Sequence, residues 1–296
     1  MFGDCHIHIA MDGVNFKAAM ARFKDGIDDD IIRAVFSEYR DKGISFLRDG
    51  GDVYGVSERA KAIAPEFGID YRTPIFAIHK RGFYGSIVGK AFDDMRGYAE
   101  LVDEAARRGA DFIKIMTTGI MDFNEYGRIV GGDGLDASEV REMVKIAHEA
   151  GFAVMSHTNG ARAVLDAIEA GVNSVEHANY MDSECISALA QSETCYVPTA
   201  CIARNLIGRD GFDDYVLERI WNQSAESIAA AIEEGALVAC GSDGGAVGTP
   251  HAQGTYDEYS CLCDAMPDRI SRDGILRIAE DYIQFAFQHE SSEDES

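Results

Sequence analysis

One junction, repeated five times, constrains what this chain can fold into more than any other feature. A helix-like stretch ends in glycine, and a β-branched or aromatic run begins one to three residues later, at Lys42-Gly43, Arg108-Gly109, Ala150-Gly151, Ala170-Gly171 and Glu234-Gly235. Glycine adopts the left-handed conformation that caps a helix at little steric cost. Helix, glycine and strand in steady alternation imply parallel strands joined by crossover helices. Eight runs read as strands: 2–9, 44–48, 72–79, 111–116, 153–157, 173–177, 194–198 and 237–242. Amphipathic stretches follow them at 28–42, 56–67, 92–108, 138–150, 161–170, 183–190, 213–234 and 268–287. Eight such units in 296 residues predict an α/β fold, the (β/α)8 or TIM barrel, as one domain over 1–290. Residues 291–296 read as an acidic, solvated and disordered tail. A doubly wound open sheet is the weaker competitor, because no glycine-rich phosphate turn follows the first strand.

In a barrel, chemistry gathers at the C-terminal ends of the strands. His6 and His8 lie two apart on the first strand and so project to the same face. His157 and His177 close the fifth and sixth strands, and Asp243 follows the eighth. Lys114 sits inside the fourth strand, where alternation turns it toward the barrel axis with Phe112 and Met116. Alone, each is an ordinary strand-end or turn residue; together they place four of the chain's 8 histidines, a carboxylate and a lysine on one rim. A buried lysine has a lowered pKa, so its neutral amine is open to Schiff-base or carbamate chemistry.

The same alternation turns Glu176 away from the rim, as a structural residue. The connections at 10–27, 117–137, 199–212 and 243–267 are long enough to roof the rim. Substrate-contact candidates in them or beside them are His79, Lys80, Arg81, Tyr84, Tyr126, Arg128, Tyr180 and Arg204. Tyr180 would donate to a substrate carbonyl, and Arg81 or Arg128 would hold a carboxylate by its two-pronged guanidinium.

Charge narrows the class of partner. Lys and Arg number 27 against 51 Asp and Glu, a formal charge of −24, which disfavours nucleic acid and anionic membranes. No apolar run reaches the roughly 18 residues of a membrane span, and the N-terminus does not read as a secretory signal. The 7 cysteines are scattered in apolar company, as expected of reduced thiols in a cytoplasmic protein. The expected partner is a small-molecule substrate, with assembly into a homo-oligomer compatible with the reading.

These residues, in this order, resemble the amidohydrolase superfamily. The strings 43–51, 111–119, 174–180 and 197–199 are similar to its imidazolonepropionase-like and Xaa-Pro-dipeptidase-like (prolidase-like) branch. The resemblance implies two divalent cations, zinc in the first instance. His6 and His8 would hold one with Asp243, His157 and His177 the other, and N6-carboxylated Lys114 would bridge them. It further implies hydrolysis of a C–N bond, in a peptide, amide or cyclic amide. A metal-bridging hydroxide would attack, and Asp243 would act as general base and then acid. Most members of the branch carry a small β-sandwich built from both termini; here it is expected to be absent. Cys5 and the final helix also depart from the usual pattern. A lactonase or esterase using the same site, a Schiff-base lyase built on Lys114, and a non-catalytic scaffold are the alternatives; a scaffold needs none of the six rim residues.

Overall fold

The computed structural model describes residues 3–132, 134–267 and 271–289. In chain order its elements are β1 (Asp4–Ile7), α1 (Phe16–Ala21), α2 (Asp29–Asp41), β2 (Phe46–Asp49), α3 (Val56–Ile63), β3 (Asp70–Arg72), β4 (Ala77–Lys80), β5 (Gly89–Phe92) and α4 (Met95–Arg107). There follow β6 (Ile113–Met116), β7 (Ile120–Met121), β8 (Ile129–Val130), α5 (Ala137–Glu149), β9 (Val154–Thr158), α6 (Ala161–Ala170), β10 (Ser174–His177) and α7 (Ser183–Ala190). Last come β11 (Cys195–Val197), α8 (Cys201–Leu206), α9 (Asp214–Glu233), α10 (Gln253–Ala265) and α11 (Arg272–Ala286). All five junction glycines are left-handed, with φ between 72° at Gly43 and 91° at Gly235. The 291–296 tail lies outside the described residues.

The parallel strands form a closed ring. β1 pairs with β2 and β2 with β3, while β4, β6, β9, β10 and β11 run side by side. Two features depart from the expected strands. The third is split, because Ile75 turns left-handed (φ 68°) beside Pro74 and separates β3 from β4; Asp111 N donating to Thr73 O carries the ladder across the break. The eighth forms only isolated bridges, Tyr196 to Val238 and Ile7 to Gly244. Ala239 N donating to Tyr196 O and Cys5 N donating to Cys240 O nevertheless seat it between β11 and β1. The result is a (β/α)8 barrel.

Side chains sort into layers. Outward residues such as Ile113, Ile115, Val154 and Val175 pack under α4, α5 and α6 with Val102, Val144 and Val164. Ile7 and Leu47 do the same under α2 and α3 with Phe36, Tyr39 and Ile63. Inward residues, among them Cys5, Phe46, Phe112, Met155 and Val197, form one cluster with Ala279, Ile283 and Phe287. This corrects the reading of 268–287 as the eighth crossover helix. α11 instead floors the barrel, with Phe287 edge-on to Phe112 at 5.3 Å, and residues 268–270 are outside the described set. The eighth outer helix is α10, packed on α9 inside what reads from sequence as a loop. The connection after β6 likewise contains a small antiparallel pair, β7 with β8.

Candidate metal centre

β1 carries His6 and His8 to the mouth, and a register irregularity between Asp4 and Ile7 lets Cys5 fill the interior below them. β6 contributes Lys114 and β9 contributes His157. His177 and Asp243 sit at positive φ (64° and 58°), a conformation that bends each out of its strand and over the opening. Such backbone costs of order 1 kcal/mol per residue and is found where the surrounding structure imposes it.

The six side chains converge. One ligand atom each from His6, His8 and Asp243 lies within 4.8 Å of the others. Lys114 Nζ is 3.2 Å from His6 Nε2. The His6 and His177 rings are 5.1 Å apart, and those of His157 and His177 are 4.6 Å apart. Three imidazoles each commit one nitrogen to the protein. His6 Nδ1 meets Glu176 Oε2 at 2.7 Å, His177 Nδ1 meets Thr199 Oγ1 at 2.7 Å, and His157 Nε2 meets Gly119 O at 3.0 Å. The other nitrogen of His6 faces Lys114 Nζ, and those of His157 and His177 are left for another partner, an arrangement of outer contacts that suits imidazoles turned toward a metal.

The electrostatics suit cations that the chain itself does not supply. Burial, reinforced by the Lys114 charge, holds His6 and His8 well below the usual histidine range. Burial and the neighbouring His157 do the same for His177, and burial lowers His157 to about 4. All four are therefore neutral at neutral pH, the form in which an imidazole can bind a cation. Burial also lowers Lys114 and raises Asp243 to about 6, against the pull of Lys114. Asp243 Oδ1 is buried with no hydrogen-bond partner, 3.4 Å from His8 Nε2 and 3.7 Å from His6 Nε2. An unpartnered buried carboxylate oxygen facing two neutral imidazoles is costly unless a cation lies between them. Four imidazoles with a carboxylate form a donor set suited to zinc.

Glu176 corrects the sequence reading. It points into the barrel, because β10 keeps its alternation through Glu176 and the left-handed turn at His177 brings the next side chain to the same side. Arg48 Nη2 donates to Glu176 Oε1 at 2.9 Å, Arg48 Nη1 to Ser174 Oγ at 2.9 Å, and Arg48 Nε to Cys5 O at 2.6 Å. Both members of this ion pair are fully buried under His6.

Most of the expected substrate contacts lie elsewhere. Arg81 is exposed and paired with Asp93 at 2.5 Å, and Arg128 with Glu125 at 2.6 Å. Lys80 donates to Glu139 at 2.7 Å, and Arg204 donates to Asp264 at 2.5 Å. The His79 ring turns back to its own strand, Nδ1 against Lys80 O at 3.0 Å. Tyr180 stacks edge-on with Tyr126 at 5.3 Å, and its buried hydroxyl has no hydrogen-bond partner. None of these lines the cavity above the metal-site residues. Tyr84 does, with its ring 5.2 Å from His157. Asn159 and Asn179 also line it, joined by Asn179 Nδ2 donating to Asn159 Oδ1 at 2.9 Å. The cavity measures about 320 Å³ and opens over His8, Lys114, His157, His177 and Asp243.

Comparison with known proteins agrees with this fold. The chain is similar in fold to a Xaa-Pro dipeptidase solved with bound methionine, at TM-score 0.75 and 18% identity, covering 98% of this chain and 77% of that one. It is similar to Aspergillus niger ochratoxinase at TM-score 0.71 and 19% identity, covering 97% and 71%. Bottromycin amidohydrolase follows at TM-score 0.63 and 17% identity, covering 96% and 67%. In sequence, ochratoxinase of Aspergillus niger is 26% identical over 145 residues, 46% of this chain. That match spans only 29% of the ochratoxinase. Residues 2–266 match the model of the amidohydrolase family, and the chain belongs to that family.

Proposed function

We propose that this protein is a metal-dependent hydrolase that cleaves a C–N bond in an amide, peptide or cyclic amide. The observation that carries the reading is the gathering of His6, His8 and Asp243 donor atoms within 4.8 Å, with Lys114 Nζ 3.2 Å from His6. His6 and His8 with Asp243 would hold one divalent cation, and His157 with His177 a second. Lys114 would serve both: its amine would add carbon dioxide and lose a proton, giving an anionic carbamate. Two zinc ions would acidify a water and polarise the scissile carbonyl.

Asp243 is the proton carrier. It lies at the mouth with one oxygen free of hydrogen bonds. It would accept the proton as the water oxygen bonds to the acyl carbon and deliver it to nitrogen as the C–N bond breaks. Asn159, Asn179 and Tyr84 are the polar groups placed to orient the substrate. The relatives' names support an amide-cleaving enzyme, and the free cysteines support a cytoplasmic setting. Among the described residues no helix is long and apolar enough to cross a membrane.

Asp243→Asn tests the reading. Metal content, measured by elemental analysis, is expected to stay near that of the parent, while hydrolysis falls on the order of 100-fold or more. Unchanged turnover, or a protein that takes up no divalent metal, would overturn it.

A further inference from the structure

The walls of the cavity set the chemistry of what can enter. Above the metal-site residues they are aromatic and aliphatic, including Phe16, Met121, Phe123, Leu206, Phe212 and Ile220. Among the described residues that line it, Lys114 is the sole cationic side chain, and it stands at the bottom among the histidines. The guanidinium groups that a carboxylate would seek are committed elsewhere. Arg81, Arg128 and Arg204 are each bound to an acid. Arg219 lies flat on Tyr126, 3.7 Å from the ring centroid, and is not part of the lining. A carboxylate carried by either apolar arm of the substrate would lie against these walls, away from the proposed cations, with no cationic side chain to meet it, in a chain of charge −24.

We infer that the site takes an uncharged amide with bulky apolar groups on both sides of the scissile bond, and rejects its carboxylated counterparts. This rests on the amide-hydrolase reading and adds to it the polarity of the substrate. The volume, about 320 Å³, falls within the range of small-molecule sites. A simple acyl anilide has the required character: one ring for each apolar wall, a single carbonyl for the metal-site end, and no ionised group. Asn179, partly exposed and held by the buried Asn159, supplies the few polar contacts that such a ligand can use.

Phenylacetanilide and its 4-carboxyanilide twin differ only in the charge at issue. Binding to metal-free protein is measured by calorimetry, and kcat/KM on zinc-loaded protein. We expect the neutral compound to be favoured at least roughly 100-fold in both assays, the scale of an unpaired buried charge. Phe123→Arg, in a half-buried loop position of the wall, should narrow that gap to within roughly 10-fold while thermal unfolding confirms an intact fold. Equal or stronger binding of the carboxylated twin overturns the inference, as does failure of both to bind. If the neutral compound binds selectively but neither is cut, the hydrolase reading fails and the polarity inference stands. If both are cut equally, the outcome is the reverse.

Discussion

Glu176 and Glu258 are both buried acids, and their surroundings give them opposite tasks. Glu176 faces Arg48 and fixes the ring of His6, so its charge is matched. Glu258, on α10, accepts from Cys201 N at 2.7 Å but leaves its other oxygen without a partner. Burial raises it from an ordinary value of 4.5 to about 7. A raised folded-state pKa means that the folded protein holds a proton the unfolded chain has released. The associated stability is full below pH 4.5 and is lost as pH rises through about 7, a difference of about 3 kcal/mol. Glu258→Gln is therefore expected to gain stability relative to the parent between pH 5 and pH 8 in urea titrations; a pH-independent difference would refute the assignment. At this scale the rim residues were legible, because strand-end positions show in the alternation of apolar and polar residues. The partners beneath them were not. Whether Glu176 faces in or out depends on a left-handed turn at His177 that no residue pattern announces.

β1, β2 and β6 meet over a position that tolerates no side chain. A Cβ on Gly50, just past the end of β2, would overlap the imidazole of His8 and come within 2.7 Å of Lys114 Nζ. Gly50→Ala should cost about 1–3 kcal/mol by overpacking and lower metal affinity or activity roughly 10–100-fold. Metal titration followed by thermal unfolding checks both, and full metal binding would show that the His8 and Lys114 side chains have room to yield. The strand ends are further tied by Asp49, which accepts from Ile9 N at 2.8 Å, Gly51 N at 2.6 Å and Ser57 Oγ at 2.7 Å. Elements with a strong apolar period, such as α2 and α4, stand close to where the sequence puts them. α10 escapes detection for a physical reason: its buried positions are Gly254, Thr255, Glu258, Cys261 and Leu262, mostly small or polar, so no apolar stripe marks it. The third strand reads as one run because the apolar residues 75–78 follow Arg72 and Thr73 with only Pro74 between to signal the break.

Over the whole molecule, the floor of the barrel and its mouth form one stack. Phe287 packs on the Arg48 guanidinium, 4.3 Å from ring centroid to carbon, Arg48 binds Glu176, and Glu176 binds His6. Phe287→Ala should cost about 3–5 kcal/mol as a core truncation. Zinc affinity should fall with it by roughly 10-fold, because the support of His6 is loosened. Denaturant titration and metal competition are the measurements, and a stability loss with unaltered zinc affinity would separate floor from mouth. The eightfold repeat was legible at this scale from its alternating runs and five capping glycines, but the role of α11 was not, since an apolar face looks alike whether it covers the outside of a barrel or its end. α11 also follows every other described element in the order of synthesis. A nascent chain can pair all its strands while Arg48 and Glu176 still stand open to water from below, and it finishes the support of His6 only when residue 287 has emerged.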